Sequence, residues 1–188
     1  MGAIASTLLS LVKTGDHIVS ADGIFSHTRL LMTELLAKFG VEITFTDATV
    51  SDNIRAAMKP ATKLVYVESP LNPSLELVDI RAVADIAHQN KSLLIVDSTF
   101  CTPILQRPLE LGADLVVHSL TKFMNGHGDT LGGAVIGSRE LIELIKWPGL
   151  CCFTGAALAP NNAWMIMRGM KTLDMRMKKH CENGLALA

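Results

Sequence analysis

The sequence predicts an α/β fold on a mainly parallel sheet, with helices on both faces. Short apolar runs alternate with amphipathic stretches along the chain, the order expected of repeated strand–helix–strand units. Three of the strand candidates are near-continuous apolar runs, as parallel strands covered on both faces are. Polar residues gather just after several of these runs, where an open α/β sheet places its ligands.

The elements follow in order. A helix over Ala3–Lys13 precedes a strand over His17–Ala21, with Gly15 as a stop between them. A helix over Thr28–Phe39 ends at Gly40, a residue free to take the left-handed conformation that closes a helix. Strands are expected at Glu42–Thr46, Lys63–Glu68, Ser92–Asp97, Asp114–Ser119 and Gly132–Ile136, and helices at Asp79–Gln89, Arg139–Ile145 and Asn162–Lys171. "ESPLNPS", Glu68–Ser74, carries two prolines and an Asn-Pro step and reads as a turn. Right-handed crossovers would join the parallel strands. Trp164, Met165, Met167 and Met170 read as helix packing. The chain reads as one domain, residues 1–188, cut at both ends: it opens inside a helix and closes at Leu185–Ala188 in helical sequence.

Composition narrows the class. The chain has 188 residues, 49% of them hydrophobic, and a mean hydropathy of +0.34, enough for a real core and too apolar for a disordered segment. No apolar run reaches the ~18 residues of a membrane span. A net charge of −1 gives no electrostatic case for nucleic acid. No export signal is visible at the N-terminus. The four cysteines, Cys101, Cys151, Cys152 and Cys181, have no zinc spacing and read as reduced thiols of a cytoplasmic protein. No metal site is expected. The adjacent Cys151 and Cys152 could join only in a strained bridge.

The chemistry concentrates in three clusters: Glu68–Asn72, Asp97–Thr99 and Ser119–Lys122, each after a strand. Each could be a local cap or turn; a shared site at the strand ends explains all three. A lysine amine can form a Schiff base with a carbonyl cofactor. Pyridoxal phosphate fits that lysine, because it also needs a phosphate cradle and a carboxylate facing its ring nitrogen. Ser119 and Thr121 can donate to phosphate, Asp97 can keep the ring nitrogen protonated, and the first helix offers free N–H groups.

"HSLTKFMNGHGD" resembles the lysine motif of the Cys/Met-metabolism family of pyridoxal-phosphate enzymes. "MGAIAS", "YVESPLNPS", "LIVDSTFCTPILQRPLELGADLVVHS" and "MRGMKTLDMRM" resemble family segments in family order. The resemblance covers almost the whole chain. It implies the large domain of a type I, aspartate aminotransferase-like fold, without the first edge strand and the C-terminal domain. It also implies roles for single residues. Lys122 is the cofactor-linked, catalytic lysine, and Asp97 the partner of the ring nitrogen. Ser119, Thr121, Met1 and Gly2 hold the phosphate, and Asn72 lies near the phenolic oxygen and the substrate carboxylate.

Four positions depart from the family pattern. Phe25 stands where a ring-stacking tyrosine is usual; phenylalanine can stack but has no exchangeable proton. His27 stands where a reactive cysteine occurs in some members, and Cys151 and Cys152 replace a lysine–aspartate pair. His27, Cys151 and Cys152 are candidates for substrate specificity, Phe25 is a candidate cofactor-binding residue, and His27 could serve as an acid or base. His127, between two glycines, reads as a structural hydrogen-bonding residue.

The resemblance implies a carbon–sulfur lyase that removes the γ-substituent of L-methionine or a related sulfur amino acid. "NGHGD" and "FTGAALAP" favour that branch. The alternative is γ-replacement on an O-acylhomoserine; a further one is a cofactor-binding fragment without turnover. The substrate would be a small sulfur-containing amino acid. Self-association, dimer to tetramer, would complete the intact enzyme, with neither nucleic acid nor membrane as partner.

Overall fold

The computed structural model describes residues 1–188. The first helix, α1 (Gly2–Leu11), leads into β1 (His17–Ala21), both ending before Asp22. A helical stretch follows: α2 (Ser26–Leu30), a wider π-type turn over Leu31–Leu36, and a tighter 3-10 turn over Ala37–Phe39. Gly40 ends it with φ 74°. Then come β2 (Glu42–Thr46), α3 (Ser51–Ala57), β3 (Thr62–Glu68), α4 (Ile80–Gln89) and β4 (Leu93–Asp97). The second half holds α5 (Thr102–Leu105), a 3-10 turn over Pro108–Leu111, β5 (Leu115–Ser119), β6 (Gly133–Gly137) and α6 (Arg139–Leu144). A π-type segment over Ile145–Thr154, α7 (Pro160–Met170) and α8 (Leu173–Leu187) complete the chain.

The sheet has six strands in the order β2-β1-β3-β4-β5-β6. All neighbours pair in parallel except β5 and β6, which are antiparallel. The six expected strands are thus present, displaced by a residue at most. The turn at Glu68–Ser74 is also present, with cis peptide bonds before Pro70 and Pro73.

One core of 29 buried hydrophobic residues joins strands to helices. β1 and β4 are buried along nearly their whole length, which is why they lack alternation. β1 even buries His17, whose Nδ1 pairs with Thr62 Oγ1 at 2.7 Å and Nε2 with Thr44 Oγ1 at 2.9 Å. That imidazole bridges three strands, and burial lowers its pKa. Two helices start on side-chain caps: Asp79 accepts from the N–H of Ala82 at 3.0 Å, and Ser138 from that of Leu141 at 3.3 Å.

The structure corrects two expectations. The first helix stops at Leu11, short of Gly15, which instead sits in the following turn with φ 88°. The buried face of α7 is Ile166 and Gly169, whereas Trp164, Met167 and Met170 are exposed. Its large apolar residues therefore do not form the packing face. α3 and α5 were not expected, and α8 only in that the C-terminal end was read as helical sequence. α3 is a short turn of helix with one buried residue, Ile54, too little periodicity to read from sequence. α8 packs Leu173 and Met177 against Met124 in a small cluster beneath the loop after β5.

Candidate active site

The strand order brings the three polar clusters together. β3, β4 and β5 are neighbours and run the same way, so Glu68, Asp97 and Ser119 end adjacent strands on one side of the sheet. The direction of winding reverses between β1 and β3, and the loop after β1 carries Phe25. A reversal of this kind opens a crevice at the carboxyl ends of the strands.

Asp97 is buried, and its carboxylate is held by Thr99: Oδ1 accepts from the backbone N–H at 3.0 Å and from the hydroxyl at 2.5 Å. The hydroxyl of the buried Tyr66 donates to Oδ2 at 3.4 Å. Burial raises the pKa of Asp97, and the bonds from Thr99 and Tyr66 oppose that rise. Thr99 Oγ1 also accepts from the N–H of Ser119 at 2.9 Å, joining the ends of β4 and β5 through one hydroxyl.

Lys122 lies in the turn after β5. Its N–H donates to Ser119 at 3.2 Å and its carbonyl accepts from Gly126 at 2.8 Å. The side chain is exposed and takes part in no ion pair. From below, Arg176 of α8 grips this turn, donating from Nη1 to the carbonyl of Phe123 at 2.6 Å and from Nη2 to those of Met124 and Gly169 at 3.3 and 2.9 Å. Its Nε reaches Thr172 Oγ1 at 3.0 Å. The planar fork suits several carbonyls at once.

A cavity of about 800 Å³ opens beside the turn, and Met1, Gly2, Ser119 and Thr121 line it, with Gly132 and Gly133 of the next strand. Lys122, Asp97, Asn72 and Phe25 do not line it. The residues present fit a phosphate there. α1 opens on the cavity with the uncapped N–H groups of its first turn, which attract an anion. The glycines leave no room for side chains: a Cβ on Gly2 would lie 2.7 Å from Ala156, and one on Gly133 2.9 Å from Ala3. Thr121 is more restricted than the sequence suggests. Its hydroxyl donates to the Gly132 carbonyl at 3.2 Å and accepts from the Gly132 N–H at 3.1 Å. Its one proton is therefore committed, which leaves Ser119 as the hydroxyl donor.

Asn72 is half-buried and its N–H donates to the Gly23 carbonyl at 3.3 Å, tying the proline-rich turn to the loop before Phe25. Phe25 is partly exposed, and its ring stacks on that of His27, with centroids 4.9 Å apart and planes inclined by 24°. His127 Nδ1 pairs with the carbonyl of Asn125 at 2.7 Å, the local role expected of it. Cys151 and Cys152 are exposed and unbridged in the segment Ile145–Thr154, and Cys152 Sγ lies 3.4 Å from the Trp147 carbonyl.

Sequence reasoning gave three residues of the candidate site no role of their own. Glu68 is buried, accepts the backbone N–H of Phe25 at 2.8 Å, and has a pKa raised to about 7 by burial and by the neighbouring Asp97. Tyr66 and Arg176 were also unassigned. Glu68 is visible in the sequence only as part of the Glu68–Asn72 cluster at a strand end; the other two roles depend on contacts far along the chain.

The profile of the Cys/Met metabolism PLP-dependent enzymes matches residues 1–188. The chain is 50% identical to an L-methionine gamma-lyase of Fusobacterium nucleatum subsp. polymorphum over 97% of its own length and 47% of that protein's. It is 47% identical to an L-methionine gamma-lyase of Porphyromonas gingivalis, over 100% of this chain and 47% of that one. It thus spans about half the length of these relatives. The crystal structure of cystathionine gamma-lyase from Lactobacillus plantarum complexed with L-serine superposes with a TM-score of 0.93 at 37% identity, covering 98% of this chain and 49% of that one. The six-stranded sheet is therefore the sheet of the PLP-dependent type I large domain, and the chain belongs to the family of Cys/Met metabolism PLP-dependent enzymes.

Proposed function

We propose that the protein is a carbon–sulfur lyase that uses pyridoxal phosphate to eliminate the γ-substituent of L-methionine or a related sulfur amino acid. The observation that carries this reading is that the exposed, unpaired Lys122 follows β5 while the buried Asp97 ends β4, its parallel neighbour. The L-methionine gamma-lyases at 47 and 50% identity support the choice of substrate.

Bound pyridoxal phosphate supplies an aldehyde for the lysine and an electron-withdrawing ring that stabilises a carbanion. The chain's own residues do the rest. The first-turn N–H groups of α1 and the Ser119 hydroxyl hold the phosphate. Asp97 keeps a proton on the ring nitrogen, with Thr99 fixing its carboxylate. Phe25 offers a flat apolar face but no proton. Lys122 takes the proton from the substrate α-carbon, and His27, stacked on Phe25, gives one to the departing sulfur. Asn72 and the specificity positions Cys151 and Cys152 complete the proposal, with self-association and a cytoplasmic setting.

The test is release of 2-oxobutyrate and methanethiol from L-methionine by the purified protein. Borohydride reduction should fix the cofactor to Lys122, seen by mass spectrometry, and Lys122→Ala should lose both label and turnover. Efficient thiol transfer to an O-acylhomoserine, with no release from methionine, would favour γ-replacement instead. A Lys122→Ala variant that still turns over would sink the assignment.

A further inference from the structure

Glu68 is a buried ionisable group for which the proposed chemistry has no task. Glu68 and Asp97 are register partners on β3 and β4, so their side chains leave the sheet on the same face. Both are buried, with relative exposures of 5% and 6%. Each is tied to a different part of the site: Asp97 to Thr99 and so to the end of β5, Glu68 to the backbone N–H of Phe25 at 2.8 Å. No lysine, arginine or histidine pairs with either of them. Two buried carboxylates side by side cannot both ionise cheaply without a cation.

We propose that Glu68 is a second acid at the ring end of the cofactor site, a positioning residue that ties the Phe25 loop to Asp97 and gives up a proton when pyridoxal phosphate binds. This rests on the pyridoxal-phosphate reading. Without cofactor, Glu68 holds the proton that relieves its repulsion with Asp97. A protonated ring nitrogen next to Asp97 brings positive charge to the pair, and the Glu68 proton leaves for bulk buffer while the ring keeps its own. The titratable groups acting at this position are Asp97 from β4 and Tyr66 from β3, with the amine of Met1 acting on Asp97; the Phe25 loop adds only its N–H. The geometry and the charge shift agree, since Glu68 titrates at about 7 in the absence of a ligand.

The experiment is calorimetric titration of the cofactor-free intact protein with pyridoxal phosphate between about pH 6 and pH 8, in two buffers of different ionisation enthalpy. Wild type is compared with Glu68→Gln and Glu68→Asp, so that the cofactor's own titrations cancel. Gln keeps an oxygen for the Phe25 N–H but cannot ionise. It should match the wild-type melting temperature at low pH, where Glu68 is protonated, lose most of the proton release near neutral pH, and bind the cofactor about tenfold more weakly. Asp remains ionisable and should keep the proton release while losing the tie to Phe25. Wild-type affinity and proton release in Glu68→Gln would reduce Glu68 to a hydrogen-bond acceptor and overturn the proposal. Borohydride trapping at Lys122 in wild type is the control: its failure removes the functional reading itself, whereas trapping with unchanged proton release removes only the role of Glu68.

Discussion

Arg176 Nη1 donates to the carbonyl oxygen of Phe123 at 2.6 Å, one residue beyond Lys122. With its bonds to Met124, Gly169 and Thr172, this guanidinium makes α8 the support of the lysine turn. Arg176→Lys keeps the charge but loses the fork. It should cost roughly 1–3 kcal/mol of stability, the range for bonds to a charged donor. Trapping of the cofactor at Lys122 should also slow. Thermal unfolding and the trapping rate read the two effects. A variant with the wild-type rate of trapping would show that the turn holds its shape without α8.

Asp97→Asn keeps size and removes charge. The ring nitrogen would lose the anion that keeps it protonated, and turnover should fall on the order of a hundredfold or more. Steady-state kinetics of the intact protein measure this. Activity within about threefold of wild type would exclude the assigned role.

Glu68 makes the cofactor-free protein sensitive to pH. Its pKa rises from an ordinary 4.5 to about 7 in the folded state, so between these values the folded chain binds more protons than the unfolded one. The stability contributed by the protonated group is complete below about pH 4.5 and lost as pH rises through about 7. Asp97 shifts in the same direction. Glu68→Gln should flatten this decline, and at pH 8 should be more stable than wild type by about 1–3 kcal/mol. Denaturant unfolding at pH 5, 6.5 and 8 tests it; parallel curves for the two proteins would contradict the prediction.

Gly169 is where α7 presses on the loop after β5. A Cβ there would lie 2.1 Å from the carbonyl oxygen of Asn125, a backbone atom that cannot swing aside. Gly169→Ala should destabilise by about 1–3 kcal/mol or more despite its better helix propensity. An unchanged melting temperature would mean that the helix and loop can separate at little cost.

Much of the fold was legible because β3, β4 and β5 are buried on both faces and read as apolar runs. The antiparallel return of β6 was not, because direction leaves no mark on residues such as Gly133–Gly137. Lys122, Asp97 and Ser119 were legible as candidates because such side chains sit at or just after strand ends. Arg176 acts on a carbonyl 53 residues away and Glu68 on an N–H 43 residues away; neither separation writes a local pattern. Thr121 was legible as a hydroxyl in a motif, but its engagement with Gly132 was not.

The pairing of β5 with β6 brings Ser119 opposite Gly133, closer in sequence than any residue pair of the parallel ladders. Local pairings close shorter loops and form sooner than long-range ones. The segment between Ser119 and Gly133 contains Lys122. During folding, then, the Lys122 turn is framed by a ladder that starts from a local loop, while the strands carrying Asp97 and Glu68 join across longer crossovers. Slow steps in acquiring activity should accordingly belong to the arrival of the carboxylates, not to the shaping of the lysine turn.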